Sequence, residues 1–213
     1  TRIPSSAASD VYKRQPKCDK ELFFNIVVPL FNAEKYIGKC LNSIINQSYK
    51  RFQVQVVDDC SEDSSYEIAA AICKDNKNLK IFRNSKRIGA LNNIYNLLSR
   101  KIKEPTKTID LIVDGDDYLY SSEVFNILKA KYIQTDCLIT YGSHISSRGV
   151  QGKKYPRLIR EFNLFRKYFW YASHLRTFRH DLWLALNPED LLNKKKEYFS
   201  VAWDLAIMLP MLE

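Results

Sequence analysis

The sequence predicts an α/β fold: a Rossmann-like, mostly parallel sheet with helices on both faces. Apolar segments with the composition of buried strands alternate with segments whose apolar residues recur at helical spacing. Such alternation is typical of parallel sheets built from strand–helix–strand units. The sequence contains neither the GxGxxG fingerprint of dinucleotide sites nor a GxxxxGK[ST] phosphate loop, which disfavours both kinds of nucleotide site.

The first two strand–helix units are the clearest. Residues 23–31 (FFNIVVPLF) are apolar on both faces, as a central parallel strand requires. Apolar residues then recur at helical spacing over 37–45, and Asn32 is placed to cap this helix. Residues 51–59 predict a second strand. The SSYE sequence at 64–67 has the capping-box pattern, which predicts the start of a second helix.

The same pattern continues towards the middle of the chain and then weakens. Helical spacing at Leu91, Ile94 and Leu98 predicts a helix that ends before Pro105. Between residues 148 and 200 many Lys and Arg residues are mixed with aromatic residues. The further predicted strands are 79–83, 109–113, 137–142 and one within 172–186 that enters a helix.

Residues 1–15 differ from the rest of the chain. Within them SSAASDVYKRQ resembles the translation of a transposase adapter used in sequencing libraries, so we expect 1–15 to be non-native and the natural domain to be 16–213. Without this segment the chain has 30 basic and 23 acidic residues, and the formal charge falls from +9 to +7. The apolar stretch that stops at Glu213 predicts a domain incomplete at its C-terminus.

The cysteine content bears on the compartment. The chain has five cysteines, an odd number, and no CxxC pair, which disfavours a disulfide framework or a zinc site. We therefore expect a reducing, cytoplasmic environment.

Polar side chains follow the predicted strands at one edge of the sheet. Ligands of doubly wound sheets bind beyond the carboxyl ends of the strands, so these side chains are expected to share a site. Carboxylates in this arrangement suit Mg²⁺ or Mn²⁺ together with substrate phosphates. A solvated turn is the alternative interpretation of VDGDD. The side chains concerned are Asn32, Asp58, Asp59, Asp114, Asp116 and Asp117.

Three motifs together resemble a known family. IVVPLFNAEKYIGKCLNSIINQSY, VQVVDDCSEDSS and LIVDGDDYL, in this order, resemble the family 2 glycosyltransferases of the GT-A fold (nucleotide-diphospho-sugar transferases). The resemblance implies a metal-dependent, inverting transfer of sugar from a nucleotide sugar, by default a UDP-sugar, to a glycan or lipid-linked acceptor in polysaccharide assembly. It also implies work at the cytoplasmic face of the membrane. The basic–aromatic stretch 154–170 is expected to face anionic lipid or a negatively charged acceptor, with an ordinary solvated surface as the alternative.

The resemblance also implies roles for individual residues. Asp114 and Asp116 would form the DxD motif that holds ribose and metal, with Asp117 as an alternative metal ligand. Asp59 would accept a hydrogen bond from the nucleobase. An Arg-Asn pair that many members carry is Asn92-Asn93 here, and Lys86 or Arg87 could substitute. The residues expected to line the donor nucleotide are Pro29, Phe31, Asn32, Glu34, Asp58, Asp59 and Asp114.

The C-terminal segments of the sequence predict the residues on the acceptor side of the site. WDLAIMLPMLE resembles the family segment that carries the general base, which makes Asp204 the catalytic candidate. A structural Asp at a helix N-terminus is the alternative. His174, with Arg176 or Arg179, is expected on the metal, diphosphate or acceptor side; a purely structural histidine is the alternative.

Two other functions are compatible with parts of the sequence. A sugar nucleotidyltransferase would share the sheet and metal, but the segment after the first strand lacks the Gly-rich phosphate loop of that chemistry. A non-enzymatic module that binds nucleic acid or an acidic membrane surface would use the basic–aromatic stretch 154–170. Carboxylates at the strand ends would repel a nucleic acid, so no nucleic-acid partner is expected.

Overall fold

A computed structural model of the chain describes residues 21–142, 149 and 153–213. The segment 1–15, expected to be non-native, lies outside these residues. Within the described parts, no helix has both the length and the hydrophobicity that crossing a bilayer requires.

The centre of the fold is a six-stranded sheet of order β3-β2-β1-β4-β6-β5. β1 pairs in parallel with β2 and β4, and β2 pairs in parallel with β3. β6 runs antiparallel to both of its neighbours, β4 and β5. The mostly parallel sheet is therefore confirmed. The strands are β1 Phe23–Leu30, β2 Phe52–Asp58, β3 Leu79–Arg83, β4 Thr108–Ile112, β5 Ile139–Tyr141 and β6 Arg176–Arg179.

Helices cover both faces of the sheet, as predicted. They are α1 Ile37–Ile45, α2 Ser65–Lys74, α3 Ala90–Leu98, α4 Val124–Thr135, α5 Arg157–Glu161, α6 His180–Ala185 and α7 Trp203–Leu212. α1, α2 and α4 pack on one face, where Leu41 and Phe125 are fully buried. α3, α5, α6 and α7 pack on the other, where Ile94 and Ile207 are fully buried. Burial on both faces explains why the central strands are almost entirely apolar.

The predicted cap of α1 is wrong, whereas α2 begins directly after Ser64, as the capping-box pattern predicts. α1 begins at Ile37 rather than after Asn32, and neither α1 nor α2 has a side-chain cap. The Asn32 side chain instead accepts a hydrogen bond from the Glu62 backbone N–H at 2.9 Å. Ser65 Oγ accepts from the Ala33 N–H at 2.7 Å. These polar side chains therefore join the loops that follow β1 and β2.

A buried line of polar side chains crosses the sheet below the strand ends. Asp110 Oδ1 accepts from Asn25 Nδ2 at 2.7 Å, and Asp110 Oδ2 lies 2.7 Å from His180 Nδ1. Gln53 and Gln55 each donate to Asn25 Oδ1 at 3.0 Å. Burial raises the pKa of Asp110, although the hydrogen bonds from His180 and Asn25 oppose this shift. The line ties β2, β1, β4 and α6 together.

Asp110→Ala is expected to lower the free energy of unfolding by about 3 kcal/mol, because two buried polar groups lose their shared partner. Urea unfolding followed by circular dichroism measures the change. Asp110→Asn is the matched control and should lose less, since it keeps the shape and part of the hydrogen bonding. A loss below about 1 kcal/mol for Asp110→Ala would show that this line contributes little.

Candidate functional site

The loops after β1, β2 and β4 lie at the same edge of the sheet and are tied to one another. Asn32 N–H donates to Ser61 Oγ at 3.0 Å, and Glu34 N–H donates to Asp63 Oδ2 at 3.1 Å. The Glu34 carboxylate in turn accepts from the Ser64 N–H at 3.1 Å. Asn32 and Glu34 are therefore at the predicted edge, and their side chains hold the backbone of the neighbouring loop.

The turn after β4 packs closely on the end of β1. Gly115 N–H donates to the Pro29 carbonyl at 3.2 Å. A Cβ atom at Gly115 would lie 3.2 Å from that carbonyl oxygen and 3.0 Å from Leu30 Cδ1. Glycine thus allows the DGDD turn to approach Pro29 closely, which fixes where the following carboxylates lie.

Asp58 ends β2 and is fully buried. Its Oδ2 accepts from the Ser61 N–H at 3.2 Å and lies 3.3 Å from Arg83 Nε. Arg83 also donates to the Ser61 carbonyl at 3.2 Å. Asp58 therefore supports the loop after β2 from beneath.

Asp59 organises the loop that precedes α3. Its Oδ1 accepts from the Ile88 N–H and from Asn84 Nδ2, both at 2.9 Å, and its Oδ2 accepts from the Gly89 N–H at 2.8 Å. Burial alone would raise the pKa of this carboxyl, but these hydrogen bonds and the nearby Asn93 amide together hold it below its usual value. Asp59 is therefore a buried carboxylate that fixes the backbone of this loop.

This loop carries a contact that the sequence did not predict. The Arg87 guanidinium lies over the Phe31 ring, 3.8 Å from its centroid, which is a cation–π geometry. Phe31, Arg87 and Asp59 thus border the same part of the edge. Arg87 was predicted only as a substitute for another arginine, because no local pattern indicates which ring it contacts.

Asp114, Asp117 and His174 form a group that could hold a metal ion, since their ligand atoms lie within 4.8 Å of one another. His174 Nδ1 is 2.9 Å from Asp117 Oδ2 and 3.7 Å from Asp114 Oδ2. Asp116 is exposed and lies outside this group. Burial raises the pKa of Asp114, while Arg176 and His174 oppose the shift. The carboxylate oxygens suit Mn²⁺ or Mg²⁺, whereas an imidazole nitrogen is a ligand for transition metals, which favours Mn²⁺ over Mg²⁺.

Arg176 connects this group to Asp204. Its side chain is 4% exposed, with Nη1 3.5 Å from Asp114 Oδ2 and Nη2 3.3 Å from Asp204 Oδ2. The guanidinium also lies 4.8 Å from the Trp203 ring centroid. One guanidinium therefore lies between two carboxylates and offsets part of their negative charge.

Asp204 lies in the first turn of α7 and faces the same edge. Besides Arg176, its Oδ2 accepts from Trp170 Nε1 at 3.1 Å. Trp170 was not among the predicted site residues, because it lies in an irregular segment without periodicity. The carboxylate is thus held through Oδ2 by two donors.

The structure does not bring Arg179 to this edge. In the antiparallel β4–β6 pair, Arg176 lies opposite Ile112, whereas Arg179 lies opposite Ile109, towards the other end of β4. Arg179 pairs with Asp181, and its Nη1 lies 3.6 Å from Asp136 Oδ1. Its predicted contact with diphosphate or acceptor is not supported by this position.

Comparisons with known proteins identify the family of the chain. The profile described as Glycosyl transferase family 2 matches residues 25–188. The chain therefore belongs to glycosyl transferase family 2, which favours the predicted class over the nucleotidyltransferase and the non-enzymatic module.

Individual relatives add detail. The chain is 28% identical over 188 residues to the poly(ribitol-phosphate) β-N-acetylglucosaminyltransferase TarS of Staphylococcus aureus, a match of 84% of this chain and 32% of TarS. The crystal structure of TarS 1–349 with UDP-GlcNAc matches at a TM-score of 0.61 and 25% identity, covering 88% of this chain and 53% of that one. The mannosyltransferase PcManGT of Pyrobaculum calidifontis, in complex with GDP-Man and Mn²⁺, shares the fold at a TM-score of 0.57 and 19% identity, covering 81% of this chain and 50% of that one.

These matches confirm the predicted fold class, the GT-A type of mostly parallel sheet. The chain spans about a third of the length of TarS.

Proposed function

We propose that this edge transfers a sugar from a UDP-sugar to an acceptor hydroxyl, with inversion at the anomeric carbon. The observation that carries the proposal is the Arg176 bridge, which holds a metal-type group, Asp114–Asp117–His174, beside an oriented carboxylate, Asp204. Similarity to a TarS structure determined with UDP-GlcNAc supports this class of donor. UDP-GlcNAc is therefore the first donor to test.

The donor nucleotide would lie against the loops after β1 and β2. Phe31 offers an aromatic face, now covered by Arg87, and Asp59 in the next loop would accept a hydrogen bond from a base N–H. Pro29, Asn32 and Glu34 would shape this pocket through the backbone they hold. Asp58, being fully buried, would act through the loop above it.

The diphosphate end would use a divalent cation, Mn²⁺ or Mg²⁺. Asp114, Asp117 and His174 would hold it, and Asp116 would remain in solvent. Such an ion, when bound, neutralises the charge that develops on a departing diphosphate. Arg176, already beside Asp114, supplies a further positive charge on the same side.

Asp204 would act as the general base. As the acceptor oxygen attacks the anomeric carbon, its proton would pass to Asp204 Oδ1, while the bond to the diphosphate breaks on the opposite side. A single displacement of this kind inverts the anomeric configuration. Trp170 and Arg176 both hold Oδ2, which keeps Oδ1 directed at the acceptor.

The test is release of the nucleoside diphosphate, UDP from UDP-GlcNAc, UDP-glucose and UDP-galactose and GDP from GDP-mannose, with Mn²⁺ and with EDTA. We expect release from a UDP-sugar with Mn²⁺ and none with EDTA, and the released or transferred sugar should show the inverted anomer by NMR. Equal release with EDTA would contradict the metal role. A retained anomer would contradict the single displacement.

Arg176→Met should remove the positive charge that lies between the Asp114 and Asp204 carboxylates. We expect UDP release to fall by at least about 100-fold, because Asp204 loses its orienting cation. Arg176→Lys keeps the charge but not the fork, and should recover only part of the rate. A double-mutant cycle with Asp204→Asn is the decisive measurement: the two losses should not add. Fully additive losses would show that Arg176 acts independently of Asp204.

A further inference from the structure

Residues 153–169 combine exposed apolar and exposed basic side chains, and we name them the basic–apolar segment. Leu158, Phe162 and Phe169 are 63%, 66% and 74% exposed. Leu158 and Phe162 are four residues apart along α5 and its C-terminal cap, so they lie on the same side. Large apolar side chains exposed together in this way usually mark an interaction surface.

The charges of the segment are strongly one-sided. It contains six exposed basic residues and one acidic residue, Glu161. Glu161 pairs with Arg157, and Arg166 pairs with Glu213, both at 2.6 Å. The other four basic side chains have no acidic partner among the described residues. These are Lys153, Lys154, Arg160 and Lys167.

The segment is anchored from below. Tyr155, Ile159 and Phe165 are buried in the same core as α3, α6 and α7. Tyr155 Oη accepts from the Tyr171 N–H at 3.2 Å, and its ring meets Phe165 edge to face at 5.1 Å. The apolar side chains that face outward are therefore additional to those that stabilise the fold.

The segment leads directly into the acceptor side of the site. Trp170, the residue after Phe169, donates to Asp204, the proposed base. A surface bound to the basic–apolar segment would thus lie beside the position from which an acceptor reaches the site.

We propose that the basic–apolar segment docks on an anionic lipid bilayer. Lys and Arg side chains are attracted to anionic headgroups, and Leu and Phe side chains enter the boundary between headgroups and acyl chains. A soluble polyanion would use the charges alone. The exposed Leu158, Phe162 and Phe169 favour a bilayer over a polyanion, because only the bilayer offers an apolar phase.

The test is co-sedimentation of the full chain with phosphatidylcholine vesicles, with and without phosphatidylglycerol. We expect binding to the anionic vesicles only, weakened by high salt. Phe162→Ser/Phe169→Ser should weaken it at least about tenfold, because apolar burial is lost. Ile127→Ser is the matched control: Ile127 is also 63% exposed, but it lies on α4, on the other face of the sheet.

Three results of the vesicle experiment would overturn the membrane proposal. They are no binding to anionic vesicles, equal loss in the Ile127→Ser control, and retained binding in Phe162→Ser/Phe169→Ser, which would indicate a charge-only surface for a polyanion. Gel filtration adds a check, because conversion of a dimer to a monomer by the double variant would assign the surface to self-association. UDP binding should be unchanged in all variants, so failure of the membrane proposal and failure of the donor site remain distinguishable.

Discussion

Asp204→Asn is expected to reduce sugar transfer by about 1000-fold while UDP affinity stays within about twofold. The substitution keeps a hydrogen-bond acceptor for Trp170 and Arg176 but removes the group that takes up the acceptor proton. Release of UDP measures the rate, and calorimetry measures the affinity.

A second carboxylate provides the control for this substitution. Asp190 is exposed in the 3₁₀ turn Pro188–Leu191, away from the metal-type group, and Asp190→Asn should change neither quantity. A different result would be loss of UDP binding in Asp204→Asn, with a transfer rate that falls only as much as the UDP affinity does. Asp204 would then belong to the donor site, and the general base would have to be another residue.

Asp117→Asn is expected to weaken Mn²⁺-dependent UDP binding at least about tenfold, because a charged oxygen ligand becomes a neutral amide. Asp116→Asn, one residue away, should change it by less than about threefold, since Asp116 is exposed and lies outside the group. The two variants have the same chemistry and almost the same sequence position, so they form a matched pair. Calorimetric titration of UDP at fixed Mn²⁺ measures both.

A larger loss of UDP binding in Asp116→Asn than in Asp117→Asn would contradict the placement of Asp117 in the metal-type group. A large loss in Asp116→Asn with little change in Asp117→Asn would mean that the turn rearranges when the donor binds. Equal losses would mean that both carboxylates approach the cation. EDTA should reduce the wild-type affinity to the level of Asp117→Asn.

The central strands were predictable because burial on both faces leaves a continuous apolar run. β1 was predicted as 23–31 and is Phe23–Leu30, and β4 was predicted as 109–113 and is Thr108–Ile112. The failed cap of α1 was not predictable, because Asn32 finds its partner on a neighbouring loop rather than on its own helix. The choice depends on how two loops distant in sequence meet, and local patterns do not contain that information.

The site was predictable to the level of the sheet edge. All five strand-end carboxylates lie there, as the rule for parallel sheets requires. The choice between Asp116 and Asp117 depends on the turn in which Asp117 N–H donates to the Asp114 carbonyl at 2.9 Å. Sequence spacing does not show which way this turn directs each carboxylate.

The arginines of β6 illustrate a different limit. Arg176 and Arg179 are three positions apart, so their side chains point to opposite faces of the strand and only one of them can face the site. The register of β6 against β4 decides which one, and it brings Arg176 to the strand ends. Trp170 had no local signal, because its role comes from one contact with Asp204.

Calorimetric titration of UDP into the chain, with Mn²⁺ and then with EDTA, tests whether this edge of the sheet is a metal-dependent donor site. GDP is the comparison nucleotide. We expect metal-dependent binding of UDP, weaker binding of GDP, and loss of the metal dependence in Asp114→Ala/Asp117→Ala. Circular dichroism should verify that each sample is folded. A folded chain that binds UDP equally well with EDTA, or does not bind UDP at all, would contradict the assignment of this edge as a metal-dependent donor site.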